Sequence, residues 1–213
     1  RDSYEYIYPN YIFNKNLYKQ FGTFELNSKG HQTKYETNKF DGLIVNDINF
    51  ISNLNFTNNY LLNNYSLTLK NVNSKGKNSN NFKEGNDNKL LAEYIFNSSL
   101  PLYKKKEIYS SYFTPKLSFR FSPTETRNIN TDDFRIDYVN LFSKNRISLD
   151  DTLEGGESIT LASEYSLRDK KDIEKLNLSI GQIFRINENK DLPKVSTIGN
   201  KRSDLIGALK FTP

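Results

Sequence analysis

EKLNLSIGQIFRI, from Glu174 to Ile186, alternates almost one side chain at a time. Leu176, Leu178, Ile180, Phe184 and Ile186 fall on one face, and Lys175, Asn177, Ser179, Gly181 and Arg185 on the other. Successive side chains of a strand point to opposite faces, so this spacing predicts a β-strand with one apolar and one polar side. Gln182 and Ile183 break the pattern. The same period recurs at 158–168, where Ile159, Leu161, Tyr165 and Leu167 oppose Ser158, Thr160, Glu164, Ser166 and Arg168. At 116–122, Leu117, Phe119 and Phe121 alternate with Lys116, Ser118, Arg120 and Ser122. Weaker versions lie near 4–13, 20–28, 43–56, 60–70, 89–99 and 203–212, giving about nine strands. No stretch carries a competing helical period.

The chain's 213 residues suffice for one domain, yet it begins at Arg1 without methionine, and both ends fall in strand-like sequence. That predicts a fragment. It shows no basic start, apolar stretch and small-residue cleavage site of a signal peptide, so localisation must come from other features. Hydrophobic residues make up only 36% and mean hydropathy is -0.72, too polar for an ordinary core, while 14 Tyr and 15 Phe argue against disorder. A large transmembrane barrel reconciles the two, because each strand shows one face to lipid and the other to water. No run of about 18 apolar residues exists to make a spanning helix, but strands of roughly 9 to 11 residues can cross.

A soluble sandwich alternates as well, so connection length matters. The intervals between strands read 14–19, 29–42, 57–59, 71–88, 100–111, 123–156, 169–173 and 187–202, short and long in turn. Outer-membrane barrels keep short periplasmic turns and long extracellular loops. The expected fold is therefore all-β: an antiparallel curved sheet of about 8–10 strands forming part of a transmembrane β-barrel, with residues 1–213 inside a single barrel domain. Leu117, Phe119, Ile159, Leu161, Leu176, Leu178 and Ile180 are expected to face lipid. Aromatic residues such as Tyr65, Tyr94 and Tyr112 fit either an interfacial girdle or cross-strand packing.

Several phrases, in order, make the chain resemble the lipopolysaccharide-assembly family LptD. They are SSLPL (98–102), FTPKLSFRFSP (113–123), NLFSKNR (140–146), LEGGESITLASEY (153–165), LNLSIGQIFR (176–185) and KRSDLIGALKFTP (201–213). The resemblance is specific from about residue 90 onward and a matter of style before it. Ala162 and Ser163 stand where the family typically has a Gly. The resemblance implies an outer-membrane location and a barrel that moves lipopolysaccharide to the outer leaflet. It implies an N-terminal jellyroll reaching a periplasmic bridge component, and terminal barrel strands that form a lateral opening, all lying outside this chain. It also implies an LptE-like lipoprotein plug in the lumen.

Read this way, Ser118, Arg120, Thr160, Glu164, Lys175, Asn177 and Arg185 form a lumen-facing polar set, free to contact lipopolysaccharide or the plug, or simply to hydrate the interior. The longest interval, 123–156, is expected on the extracellular side. Its Leu141, Phe142, Asn145 and Arg146 either meet the partner lipoprotein or anchor the loop on the chain's own residues.

Catalytic chemistry is not expected, and neither a cofactor nor a metal is implied. His31 stands alone in an interval read as a polar loop, and no Cys is present. The pairs Asp132 and Asp133, Asp150 and Asp151, and Glu154 and Glu157 read as solvated loop charge. Gly155 and Gly156 lack the strand, lysine and helix of a phosphate loop and fit a tight strand entrance. Pro115 and Pro123 read as the two ends of a strand. A net charge of +5 is scattered among acidic residues, which disfavours nucleic acid. Two other functions remain open: a porin or substrate-specific channel, and a secreted adhesin-like module.

Overall fold

A computed structural model of the chain describes residues 5–57, 60–80 and 82–212. It is an all-β antiparallel sheet. The strands are β1 (Glu5–Lys19), β2 (Gly22–Tyr35), β3 (Phe40–Ser52), β4 (Asn55–Thr57), β5 (Leu61–Lys77) and β6 (Gly85–Ser99). They continue with β7 (Leu102–Lys105), β8 (Tyr109–Ser122), β9 (Gly156–Asp169), β10 (Glu174–Arg185) and β11 (Ile206–Phe211). Nine strands follow one another in the order β1-β2-β3-β5-β6-β8-β9-β10-β11, with the short β4 and β7 paired onto β5 and β8. The order leaves β1 and β11 at its two ends. One 3-10 turn, Lys194–Ser196, is the helical content among the described residues. Contacts divide the chain into two compact units, residues 1–53, 66–93 and 150–152 in one and 54–65, 94–149 and 153–213 in the other.

The strands of the first unit are longer than their apolar alternation. Intervals 14–19 and 29–42 and the described residues of 71–88 are mostly strand, and the breaks between strands shrink to 20–21, 36–39 and, among the described residues, 78–80 and 82–84. The alternation of short and long connections therefore fails there, because the turn at 36–39 is brief. The physical reason lies in the outward row. Leu26, Ile48 and Leu69 align across β2, β3 and β5, and two residues further on the row becomes Ser28, Asn46 and Asn71, joined side chain to side chain. Polar side chains that satisfy one another sustain a strand without apolar alternation, so a pattern search stops too early. His31 accordingly sits inside β2, half-buried and opposite Leu43, rather than in a loop.

From β8 onward the pattern reads true. The connections 123–155 and 186–205 are long and 170–173 is short, all between regular strands. Tyr65 and Tyr94 approach to 6.5 Å between ring centroids, and Tyr103 and Tyr112 to 4.9 Å, so these rings pack on each other across strands. Pro123 closes β8 as expected, but Pro115 lies within it. Its carbonyl accepts from Leu100 N, in the gap between the end of β6 and the start of β7. The backbone groups of one residue in an antiparallel strand point the same way, so the N–H that proline lacks falls where the neighbouring ladder is already interrupted.

Candidate functional site

The site is the polar face of β8, β9 and β10, and register builds it. Ser118 pairs with Thr160 and Thr160 with Ile183; Arg120 pairs with Ser158 and Ser158 with Arg185. Lys116, Ala162 and Gly181 form the next row, and Thr114, Glu164 and Ser179 the one after. The opposite face carries Leu117 against Leu161, Phe119 against Ile159, and Tyr165 against Leu178. Leu178 is 47% exposed, whereas Thr160 on the polar face is 1% exposed. An inverted burial pattern of this kind, polar in and apolar out, is what strands meeting lipid produce.

The polar face is buried because the two long loops fold back onto it. Ile129, Leu141 and Ile147 from 123–155 pack with Leu192 and Ile198 from 186–205 and with Ile183 of β10. Burying such side chains contributes about 1.5 to 3 kcal/mol each towards holding the loops down. Ile183, which breaks the alternation of its strand, is the strand's contribution to that cluster. Gln182, the other exception, points its side-chain amide to Ser203 O at 2.6 Å. Gly181 makes room: a Cβ there would overlap Leu141 Cδ2, a close approach of the kind that favours glycine inside a strand.

Beside the apolar cluster sits a buried ion network. The Glu154 carboxylate accepts from Arg146 Nε and Nη2 and from Arg185 Nη1. Arg146 also donates to Thr160 Oγ1 at 3.0 Å and Ser158 Oγ at 2.8 Å. Arg185 donates to Gly155 O. Arg120 reaches Lys144 O at 2.9 Å and Ser143 O at 2.7 Å, with its Nε 4.0 Å from Glu154. The side chains of Glu154, Arg146 and Arg185 are each 1% exposed. Burial alone would raise the Glu154 carboxyl, but Arg146 first, then Arg120 and Arg185, hold it down at about 2. Burial lowers Arg146 from its ordinary value, and Glu154 opposes that shift.

The structure thus gathers most of the sequence-derived residues. Ser118, Arg120, Thr160 and Arg185 lie under the loops. Glu164 lies on the same face, where it accepts from Lys116 Nζ at 2.5 Å. Asn177 donates to Glu174 at 3.1 Å. Lys175 is not brought to this set. The register shifts between Glu174 and Leu176, so Glu174 meets Ser166 and Asn177 while Lys175 turns towards Asp169, 3.9 Å away. In the loop, Leu141 and Arg146 are buried in the chain's own packing, Asn145 donates to Leu149 O at 2.7 Å, and Phe142 packs edge-on to Tyr138.

Sequence reasoning missed Glu154, read as solvated and in fact the centre of the network. Asp132, Asp133 and Asp150 are exposed, as expected of loop charge, and Asp150 pairs with Lys29. Gly156 enters β9 with φ of 85°, while a Cβ on Gly155 would overlap Thr124 O, so the Gly pair does serve a tight strand entrance.

A family model described as LptD, LPS transport system D, matches residues 3–213. The chain belongs to the LptD family. The match covers the first unit as well as the second, although only the second carries recognisable LptD phrases. With it come the family's outer-membrane β-barrel class and its role in lipopolysaccharide transport. No curated protein matches the chain.

Proposed function

We propose that this chain of the LptD family forms part of the wall of an outer-membrane barrel that carries lipopolysaccharide into the outer leaflet. The observation that supports this reading best is the inverted strand face of β8 to β10: apolar rows exposed, polar rows covered by the chain's own loops. On this reading the whole chain lies in one barrel domain, the apolar rows meet lipid, and Ser118, Arg120, Thr160, Glu164, Asn177 and Arg185 face the lumen. The loop side is extracellular and the short-turn side periplasmic. The chain does this work by binding and shaping a path, without enzymatic chemistry. Leu141, Asn145 and Arg146 anchor the long loop. An LptE-like lipoprotein meets the loop's remaining surface at Phe142 and at Val139, which is 89% exposed.

A photo-crosslinker at Asn177 in the full-length protein tests this. Asn177 lies on the covered face beyond the ion network, and lipopolysaccharide adducts that disappear when its synthesis is blocked are the expected result. Adducts with other solutes, and none with lipopolysaccharide, would reject the reading in favour of a channel.

A further inference from the structure

We propose that the outward face of β8 to β11 at the short-turn end binds an anionic phospholipid, its phosphate held by Lys170, Lys171 and Lys175. This rests on the membrane reading above. Tyr109, Leu167, Ile173, Leu176 and Phe211 line an open groove of about 770 Å³ together with the three lysines and Asp169. Register explains the floor: Ser111 pairs with Leu167, Leu167 with Leu176, and Leu176 with Phe211, one continuous outward row across four strands. Lys104 stands on the same row, opposite Ser111.

The basic rim has a structural cause. Without the register shift at Glu174 and Leu176, Lys175 would point to the polar face; with it, Lys175 lies over the apolar floor beside Asp169. Asp169 is the groove's single carboxylate among the described residues. It is already committed to the turn, accepting from Lys171 N at 2.8 Å and Ile173 N at 3.0 Å. Three ammonium groups against one carboxylate leave the groove two charges positive, directly above an apolar surface.

That combination selects its occupant. Inorganic phosphate would use the lysines and leave the floor wet, and a zwitterionic lipid would bring its own ammonium into the positive rim. An anionic phospholipid satisfies both parts. Juxtamembrane lysines attract anionic lipid, and a three-lysine rim should favour it by about tenfold or more. The short-turn end also lies on the leaflet opposite the one that receives lipopolysaccharide.

The test uses full-length protein in phosphatidylcholine vesicles with and without phosphatidylglycerol. Insertion is followed by heat-modifiable migration, and retained lipid by native mass spectrometry after detergent extraction. The wild type should retain phosphatidylglycerol over phosphatidylcholine by about tenfold or more. K170Q/K171Q/K175Q should insert and lose most of that preference. K190Q/K194Q/K201Q, an equal change of charge in the long connection 186–205, should keep it. Equal retention of both lipids by the wild type, an unchanged preference in the first variant, or the same loss in the second would overturn the site while leaving the barrel intact. Failure of the wild type to insert would overturn the membrane reading, and this one with it.

Discussion

Glu154→Gln should open the long loop without unfolding the strands beneath it. Three guanidinium groups share one carboxylate in a compartment where Glu154, Arg146 and Arg185 are each 1% exposed and Arg120 4%. The network carries two net positive charges with Glu154 ionised and three once it is neutral. Arg146 would keep Thr160 and Ser158, and Arg120 its two carbonyls, but Arg185 would keep only Gly155 O and its new amide neighbour. Breaking a buried pair from one side costs about 3 to 5 kcal/mol, a factor of roughly 10² to several 10³ in the loop's opening equilibrium. Arg127, Arg135 and Lys144 offer trypsin sites in the loop, and cleavage follows the open population when reclosing outpaces proteolysis. Full-length protein in bilayers should be cut in the loop faster by that factor, up to the limit of a fully open loop, while heat-modifiable migration persists. Combining E154Q with R146M removes both partners and should restore much of the protection. Cleavage of E154Q at the wild-type rate would refute the view that this network clamps the loop.

The same carboxyl sets a pH limit. Its value falls from 4.5 to about 2 on folding, so its contribution is fully present above 4.5 and lost as pH falls through about 2. Pepsin should therefore spare the wild-type loop at pH 4 and cut it as pH approaches 2, whereas E154Q should show no such transition. Gly181→Ala should destabilise the loop by about 1 to 3 kcal/mol through overpacking against Leu141, and the G181A/L141A double variant should cost less than the sum of the singles by protease protection. Leu178→Arg should cost about 2 to 4 kcal/mol of folding into bilayers if its row lies near the midplane, and Asn177→Arg much less; equal costs would reject the facing. A photo-crosslinker at Phe142 should capture the plug lipoprotein, whereas labelling confined to the barrel, with normal plug assembly in Phe142→Ala, would leave Phe142 as packing alone.

What sequence made legible was the part of the fold with an apolar outward face. The rows containing Leu117, Leu161 and Leu178 alternate because each outward position must be apolar, and that constraint acts residue by residue. Beyond those apolar rows the constraint changes to mutual satisfaction of polar groups, as at Ser28, Asn46 and Asn71, which leaves no period of two to find. The capped site was half visible. Arg120, Thr160 and Arg185 followed from parity, but Glu154 looked like any loop carboxylate, since its partners lie 8 and 31 residues away. Ile183 and Gly181 were the available clues: an apolar side chain and a missing one on a polar face, both explained once a loop lies against them. Lys175 was misplaced because one extra backbone residue reverses parity, and no side chain announces that insertion.

The amide row on β2, β3 and β5 also bears on assembly. A strand that slips by one residue exposes its error at once, since every side chain changes face. A slip by two does not, and a long uniform strand has many such near-degenerate alignments. Moving β3 two places against β2 would set Asn46 opposite Leu26 or Gly30, neither of which has a side-chain acceptor or donor to offer. The row from Ser28 through Asn46 to Asn71 and Asn88 therefore works as a vernier, distinguishing alignments that an apolar outward face cannot tell apart.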